Sequence, residues 1–202
     1  MNIKENIAEV RKKLNNEVII AATKYINTNE MKELLSCGIN NFGENRVDSF
    51  IKKYEELKDE KIVWHFIGHL QRNKVKLIAN KIEYLHSLES LSLAEELNKH
   101  LKSELKCFVE VNISGDTTKY GIKPKNLHEF LKNLEKYDKI KIVGLMGMAK
   151  NTLDEEEIIK EFSLLKSLKS DLMVLSMGMS NDYLIAHRLG TDYVRLGRIL
   201  YK

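Results

Sequence analysis

The sequence predicts an α/β fold, a single (β/α)8 TIM barrel over residues 1–202 with no C-terminal β domain after it. Two observations carry this. Short β-type apolar runs alternate with amphipathic stretches flanked by capping residues, the pattern of strand–helix repeats around a parallel sheet. One Pro and ten Gly in 202 residues leave no linker, no low-complexity tract and no shift of composition to mark a domain boundary. With 43% apolar and 31% charged residues the chain can bury a sizeable core, which excludes disordered and fibrous classes. An open doubly wound sheet is the alternative, and 202 residues is short for a barrel.

Ile3, Ile7, Val10 and Leu14 recur at three-to-four spacing and predict an opening helix, placed to cover the gap beside the last strand. Eight strands follow, at about 18–23, 39–42, 62–67, 82–86, 107–112, 140–145, 172–176 and 192–196. Between them, Val47, Phe50, Ile51, Tyr54 and Leu57 form one apolar helical stripe. Leu127, Phe130, Leu131 and Leu134 form a second, and Ile158, Phe162 and Leu165 a third. Asn27 with Glu30, Ser92 with Glu95 and Thr152 with Glu155 read as helix starts, and Gly38 and Gly190 as helix stops.

Thirty-three Lys and Arg against 29 Asp and Glu leave a net charge of only +4. That lacks the concentrated basic excess of a nucleic-acid binder, so no nucleic-acid partner is expected. Apolar runs such as residues 18–22 are far shorter than the roughly 18 residues of a membrane span. The charged N-terminal stretch has no secretory core, and the expected location is the cytoplasm. Cys37 and Cys107 are too few for a disulfide framework or a zinc site and read as reduced core thiols; no metal is expected.

Chemistry in such a barrel collects at the C-terminal strand ends. There the sequence places Lys24, Gly43-Glu44-Asn45, His65 with Gly68, His86-Ser87, Asn112, Met146, residues 176–180, and Arg195 with Gly197. Singly, each has a plainer reading: a lysine after an apolar strand is mostly surface, and a strand histidine is mostly a hydrogen-bonded core group. Their convergence on one rim is the signal. Ser176 ends a strand, Ser180 reads as the N-cap of the next helix, and Gly197 lets backbone approach, so an anion site is expected there. In a closed barrel strand eight pairs with strand one, which puts Lys24 beside that site. This arrangement suits a phosphorylated aldehyde held as a Schiff base.

The chain resembles the pyridoxal phosphate homeostasis proteins, relatives of the alanine-racemase barrel (fold type III of the enzymes of that cofactor). The resemblance runs through Ala22-Thr23-Lys24, FGENR at 42–46, WHFIGHLQRNK at 64–74, HSLES at 86–90, VNISGDTTKYG at 111–121, GLMGMA at 144–149, LSMGMSNDY at 175–183 and YVRLGR at 193–198. It implies that Lys24 carries pyridoxal 5′-phosphate as an internal aldimine. Ser176, Ser180, Gly197 and the backbone of Arg198 would hold the phosphate, Asn45 would line the pocket, and Arg195 would meet the pyridine nitrogen. An arginine can only donate to that nitrogen, which disfavours ring protonation and makes the ring a poor electron sink. The chain departs from the family at Thr23, where Ser is usual. Tyr25-Ile26-Asn27 and Lys150 stand where prolines are usual, and Arg198 where a small residue is; its side chain is expected in solvent.

The function implied is a monomeric, non-catalytic carrier that buffers the cofactor and passes it on. Free amino acids and apo-enzymes that use the cofactor are its expected partners. A racemase or decarboxylase on the same barrel is the alternative. It would need a base from the rim, where His65 and His86 are the histidines available.

Overall fold

A computed structural model describes residues 2–201 and closes the barrel. After α1 (Ile3–Arg11) the strands are β1 (Val18–Ala22), β2 (Asn41–Glu44), β3 (Val63–Phe66), β4 (Tyr84–Leu88), β5 (Leu105–Val111), β6 (Ile140–Gly147), β7 (Val174–Ser176) and β8 (Tyr193–Leu196). The intervening helices are α2 (Thr28–Ser36), α3 (Val47–Glu56), α4 (Val75–Ile78), α5 (Leu91–His100), α6 (Leu127–Leu134), α7 (Glu155–Leu168) and α8 (Tyr183–Arg188), with α9 (Arg198–Tyr201) after β8. All strands pair in parallel in sequence order. β8 returns to β1 with Val18 opposite Tyr193 and Ala21 opposite Leu196, which excludes the open sheet.

The helices bury the stripes read from the sequence: Phe50 and Leu57 around α3, Leu127, Phe130 and Leu134 on α6, and Ile158, Phe162 and Leu165 on α7. α1 packs against α9, where Asn6 donates to the Leu200 carbonyl. Leu14 lies beyond the end of α1 yet is buried. Cys107 is fully buried, whereas Cys37 is only half-buried. Among the described residues no helix is long and apolar enough to cross a membrane.

Asn27 and Glu30 form the expected reciprocal cap of α2. Two other helix starts are corrected. Ser90, not Ser92, caps α5, its hydroxyl accepting from Leu93 N–H, because that start turns Leu93, Ala94 and Leu97 inward. Asp154, not Thr152, caps α7, its carboxylate accepting from Glu156 and Glu157 N–H; the Thr152 hydroxyl supports the turn before it. β2 begins two residues later than expected. Gly38, at φ +78°, and Ile39 are spent ending α2, with Ile39 N–H donating to the Leu34 carbonyl.

Candidate functional site

The C-terminal strand ends surround a cavity of about 400 Å³. Six of the seven site residues read from the sequence line it: Lys24, Asn45, Ser180, Arg195, Gly197 and Arg198. Ser176 does not, because as the last residue of β7 it points into the barrel, fully buried.

Lys24 stands in the turn after β1, exposed, with Nζ 4.8 Å from the Tyr25 ring centroid. Opposite it lies a backbone cup. Gly178, at φ +94°, turns the chain after β7, and a Cβ there would come within 2.7 Å of Ala186 Cβ. Ser180 is not an N-cap: α8 starts at Tyr183 after Asp182, whose carboxylate accepts from Met179 N–H, so the Ser180 hydroxyl is left to accept from Gly197 N–H at 3.2 Å. Backbone N–H groups of Ser180, Asn181 and Arg198 meet no acceptor among the described residues. Arg198 is exposed at the cavity wall. Tyr201, unannounced by any sequence signal, also lines the cavity and donates its hydroxyl to the Ala22 carbonyl at 3.0 Å, pinning the end of β1.

Arg195 is buried and uses three of its five N–H groups inside the barrel. Nη1 donates to the Ser176 carbonyl at 2.8 Å and to Ser176 Oγ at 2.7 Å, and Nη2 donates to the Gly147 carbonyl at 3.0 Å. Two donors stay available to the cavity. Burial lowers its pKa to about 10, against Asp182 and Glu110, which leaves it charged at neutral pH.

His65 and His86 are not rim bases. Both are fully buried in the barrel interior, because alternation along β3 and β4 turns them inward. His65 stacks on Tyr84 (4.6 Å between centroids, 6° between planes) and His86 on Phe108 (4.2 Å, 17°). A polar chain runs along the axis from Arg195 through Ser176 Oγ, His86 and His65 to Asn41. Glu110, which the sequence did not single out, is buried nearby. Burial first, then the neighbouring Glu89, raises its carboxyl to about 7 against the pull of Arg195.

Two departures from the family pattern find partners. The Thr23 hydroxyl donates to Glu44, as a serine there could. Lys150 N–H donates to the buried Glu161 carboxylate at 2.7 Å, a bond that a proline at 150 could not make.

The residues present fit a phosphorylated aldehyde. The unpartnered backbone donors of Ser180, Asn181 and Arg198, beside Gly197, suit the phosphate, Lys24 is a primary amine within the same cavity, and the buried Asn45 Oδ1 has no hydrogen-bond partner among the described residues.

The sequence profile of the alanine racemase N-terminal domain matches residues 1–202. A pyridoxal phosphate homeostasis protein of Aquifex aeolicus is 37% identical over 194 residues, covering 91% of this chain and 85% of the relative. PipY of Synechococcus elongatus, solved without pyridoxal phosphate, superposes with a TM-score of 0.94 at 31% identity over 100% of both chains. The same protein with pyridoxal phosphate bound superposes with a TM-score of 0.89 at 29% identity, again over 100% of both. The chain therefore belongs to the pyridoxal phosphate homeostasis family, built on the barrel of the alanine racemase N-terminal domain.

Proposed function

We propose that the protein binds pyridoxal 5′-phosphate through Lys24 and serves cofactor homeostasis in the cytoplasm, holding the reactive aldehyde and passing it to apo-enzymes or amino acids. The observation that carries this is the convergence of Lys24, Asn45, Arg195 and the cup at Ser180 and Gly197 on one cavity, in a chain of this family. When bound, the cofactor supplies an aldehyde for a lysine amine and a ring that can withdraw electrons.

The rest is the work of the chain. Lys24 supplies the amine. Backbone donors of Ser180, Asn181, Gly197 and Arg198 bind the phosphate, with the Ser180 hydroxyl exchanging its present Gly197 partner for it. Arg195 offers one of its two remaining donors to the ring nitrogen and, as a donor only, leaves that nitrogen unprotonated. His65 and His86 are engaged in the interior and take no proton from the cavity, which supports a carrier over a racemase or decarboxylase.

The test is borohydride reduction of the loaded protein followed by peptide mapping, with spectra of wild type and Lys24→Ala. The label is expected at Lys24, and Lys24→Ala should be colourless. Charge-assisted phosphate contacts should make pyridoxal bind on the order of a hundredfold more weakly than its phosphate. Equal affinities would mean that the anion cup is misassigned. Turnover of L- or D-amino acids to the enantiomer, keto acid or amine, lost in Lys24→Ala, would replace the carrier reading with the enzyme.

A further inference from the structure

Behind the cavity, β2 and α3 bury a charged pair. Glu44 closes β2 with no exposure, and Lys53 on α3 is 8% exposed. Lys53 Nζ pairs with Glu44 Oε1 and also donates to the Thr23 carbonyl at 2.6 Å. The Thr23 hydroxyl donates to the same Glu44 oxygen at 2.8 Å, and Asn45 N–H reaches Glu44 Oε2 at 3.2 Å. One carboxylate and one ammonium thus hold the residue before Lys24 and the backbone of Asn45, just past the ends of two neighbouring strands. Thr23 N–H adds a bond to the Gly43 carbonyl, which draws both ends into one knot.

Stability alone does not call for such a pair. Two charges taken out of water recover their desolvation only through good geometry, and apolar residues of the same volume usually do as well. Lys24 itself is exposed, its Nζ resting over Tyr25. What fixes its base is the peptide after Thr23, whose carbonyl Lys53 grips.

We propose that Glu44 and Lys53 are positioning residues that aim Lys24 and Asn45 at the ligand. The inference rests on the reading of Lys24 as the amine that takes the aldehyde. In that step Lys24 Nζ forms a bond to the aldehyde carbon and the oxygen leaves as water. Borohydride then delivers hydride to the carbon while water supplies the proton on nitrogen, which fixes the attachment for counting.

Two ligands separate aiming from binding. Pyridoxine 5′-phosphate has an alcohol in place of the aldehyde and reports on non-covalent binding of ring and phosphate without attachment to Lys24. Pyridoxal 5′-phosphate with borohydride trapping reports on Lys24. For Lys53→Met, attachment at Lys24 should slow roughly tenfold or more while the dissociation constant for pyridoxine 5′-phosphate stays within about threefold, since a small misplacement of a reacting group costs rate before it costs remote binding. Lys53→Arg keeps a donor for both partners and should restore most of the rate. If Lys53→Met fails to fold, the Glu44→Gln/Lys53→Met double variant, free of the unpaired charge, takes its place with the same expectation. Equal loss of rate and of pyridoxine 5′-phosphate binding, or no loss of either, overturns the proposal. Absence of label at Lys24 in wild type would instead overturn the cofactor reading itself.

Discussion

His65 Nδ1 lies 2.9 Å from His86 Nε2 on the barrel axis, and the surrounding bonds allow one proton arrangement. Asn41 Nδ2 donates to Asn40, which turns Asn41 Oδ1 toward His65 Nε2 as an acceptor at 3.0 Å. His65 therefore carries its proton on Nε2 and accepts at Nδ1 from His86 Nε2–H. His86 Nδ1 then accepts from the Ser176 hydroxyl at 3.0 Å, and Ser176 Oγ accepts from Arg195. Donation runs one way, from Arg195 to Asn41, through two neutral rings.

That arrangement sets a pH dependence. Burial lowers His65 to about 3 and His86 well below its ordinary value, with His65 and Arg195 adding to the effect on His86. The unfolded chain binds protons near 6.5 that the folded chain refuses. The stability from both rings is fully present above 6.5 and lost as pH falls toward about 3, at up to about 1.4 kcal/mol per pH unit for each ring. Glu110 opposes this: its share is present below 4.5 and lost as pH rises through about 7. Urea midpoints should decline as pH drops from 6.5 to 5, more steeply in Glu110→Gln. A flat profile in both proteins would mean that the rings are hydrated.

Arg195→Lys should weaken the barrel as well as the site. The guanidinium spans carbonyls of β6 and β7 from its place on β8, and a lysine ammonium cannot reach Ser176 and Gly147 in that fork. The expected loss is about 2–4 kcal/mol, or about 5–15 °C in Tm by calorimetry. A shifted absorption band of added pyridoxal 5′-phosphate should accompany it, because the donor proposed for the ring nitrogen has moved.

Gly68→Ala should reach the cavity through Asn45. A Cβ at 68 would stand 2.4 Å from the Asn45 carbonyl oxygen and 2.6 Å from its Cα, contacts that only a backbone shift relieves. Destabilisation of about 1–3 kcal/mol is expected, with weaker binding of pyridoxal 5′-phosphate by titration. Full affinity in this variant would show that Asn45 does not touch the ligand.

Much of this was legible in the sequence because it rests on local signals. Alternating strands and helical stripes name the barrel, and glycines at 38, 178 and 197 stand where backbone must turn or open. Lys24, Ser180 and Gly197 converge because strand order alone brings the first strand to the last. Side-chain direction was less accessible. Ser176 sits on the same strand end as the cup, but one step of alternation turns it to His86. Ser92 and Thr152 have the chemistry of caps and lose to Ser90 and Asp154, because the buried face sets where each helix begins. Of the Glu44–Lys53 pair only Glu44 was visible, at a strand end, since a lysine on an amphipathic helix looks like solvated surface until its neighbours are known.

Closure of β8 onto β1 also bears on how the protein is made. Lys24 and Gly197 are 173 residues apart in sequence (197 − 24), yet they wall the same cavity. On the ribosome, seven strands must be translated before the eighth can arrive to complete the cup, so a stalled or truncated nascent chain presents the lysine without Gly197 and Arg198 on the opposite wall. Such long-range closure is slow to form. The two walls of the cavity therefore come together only when the last strand is in place.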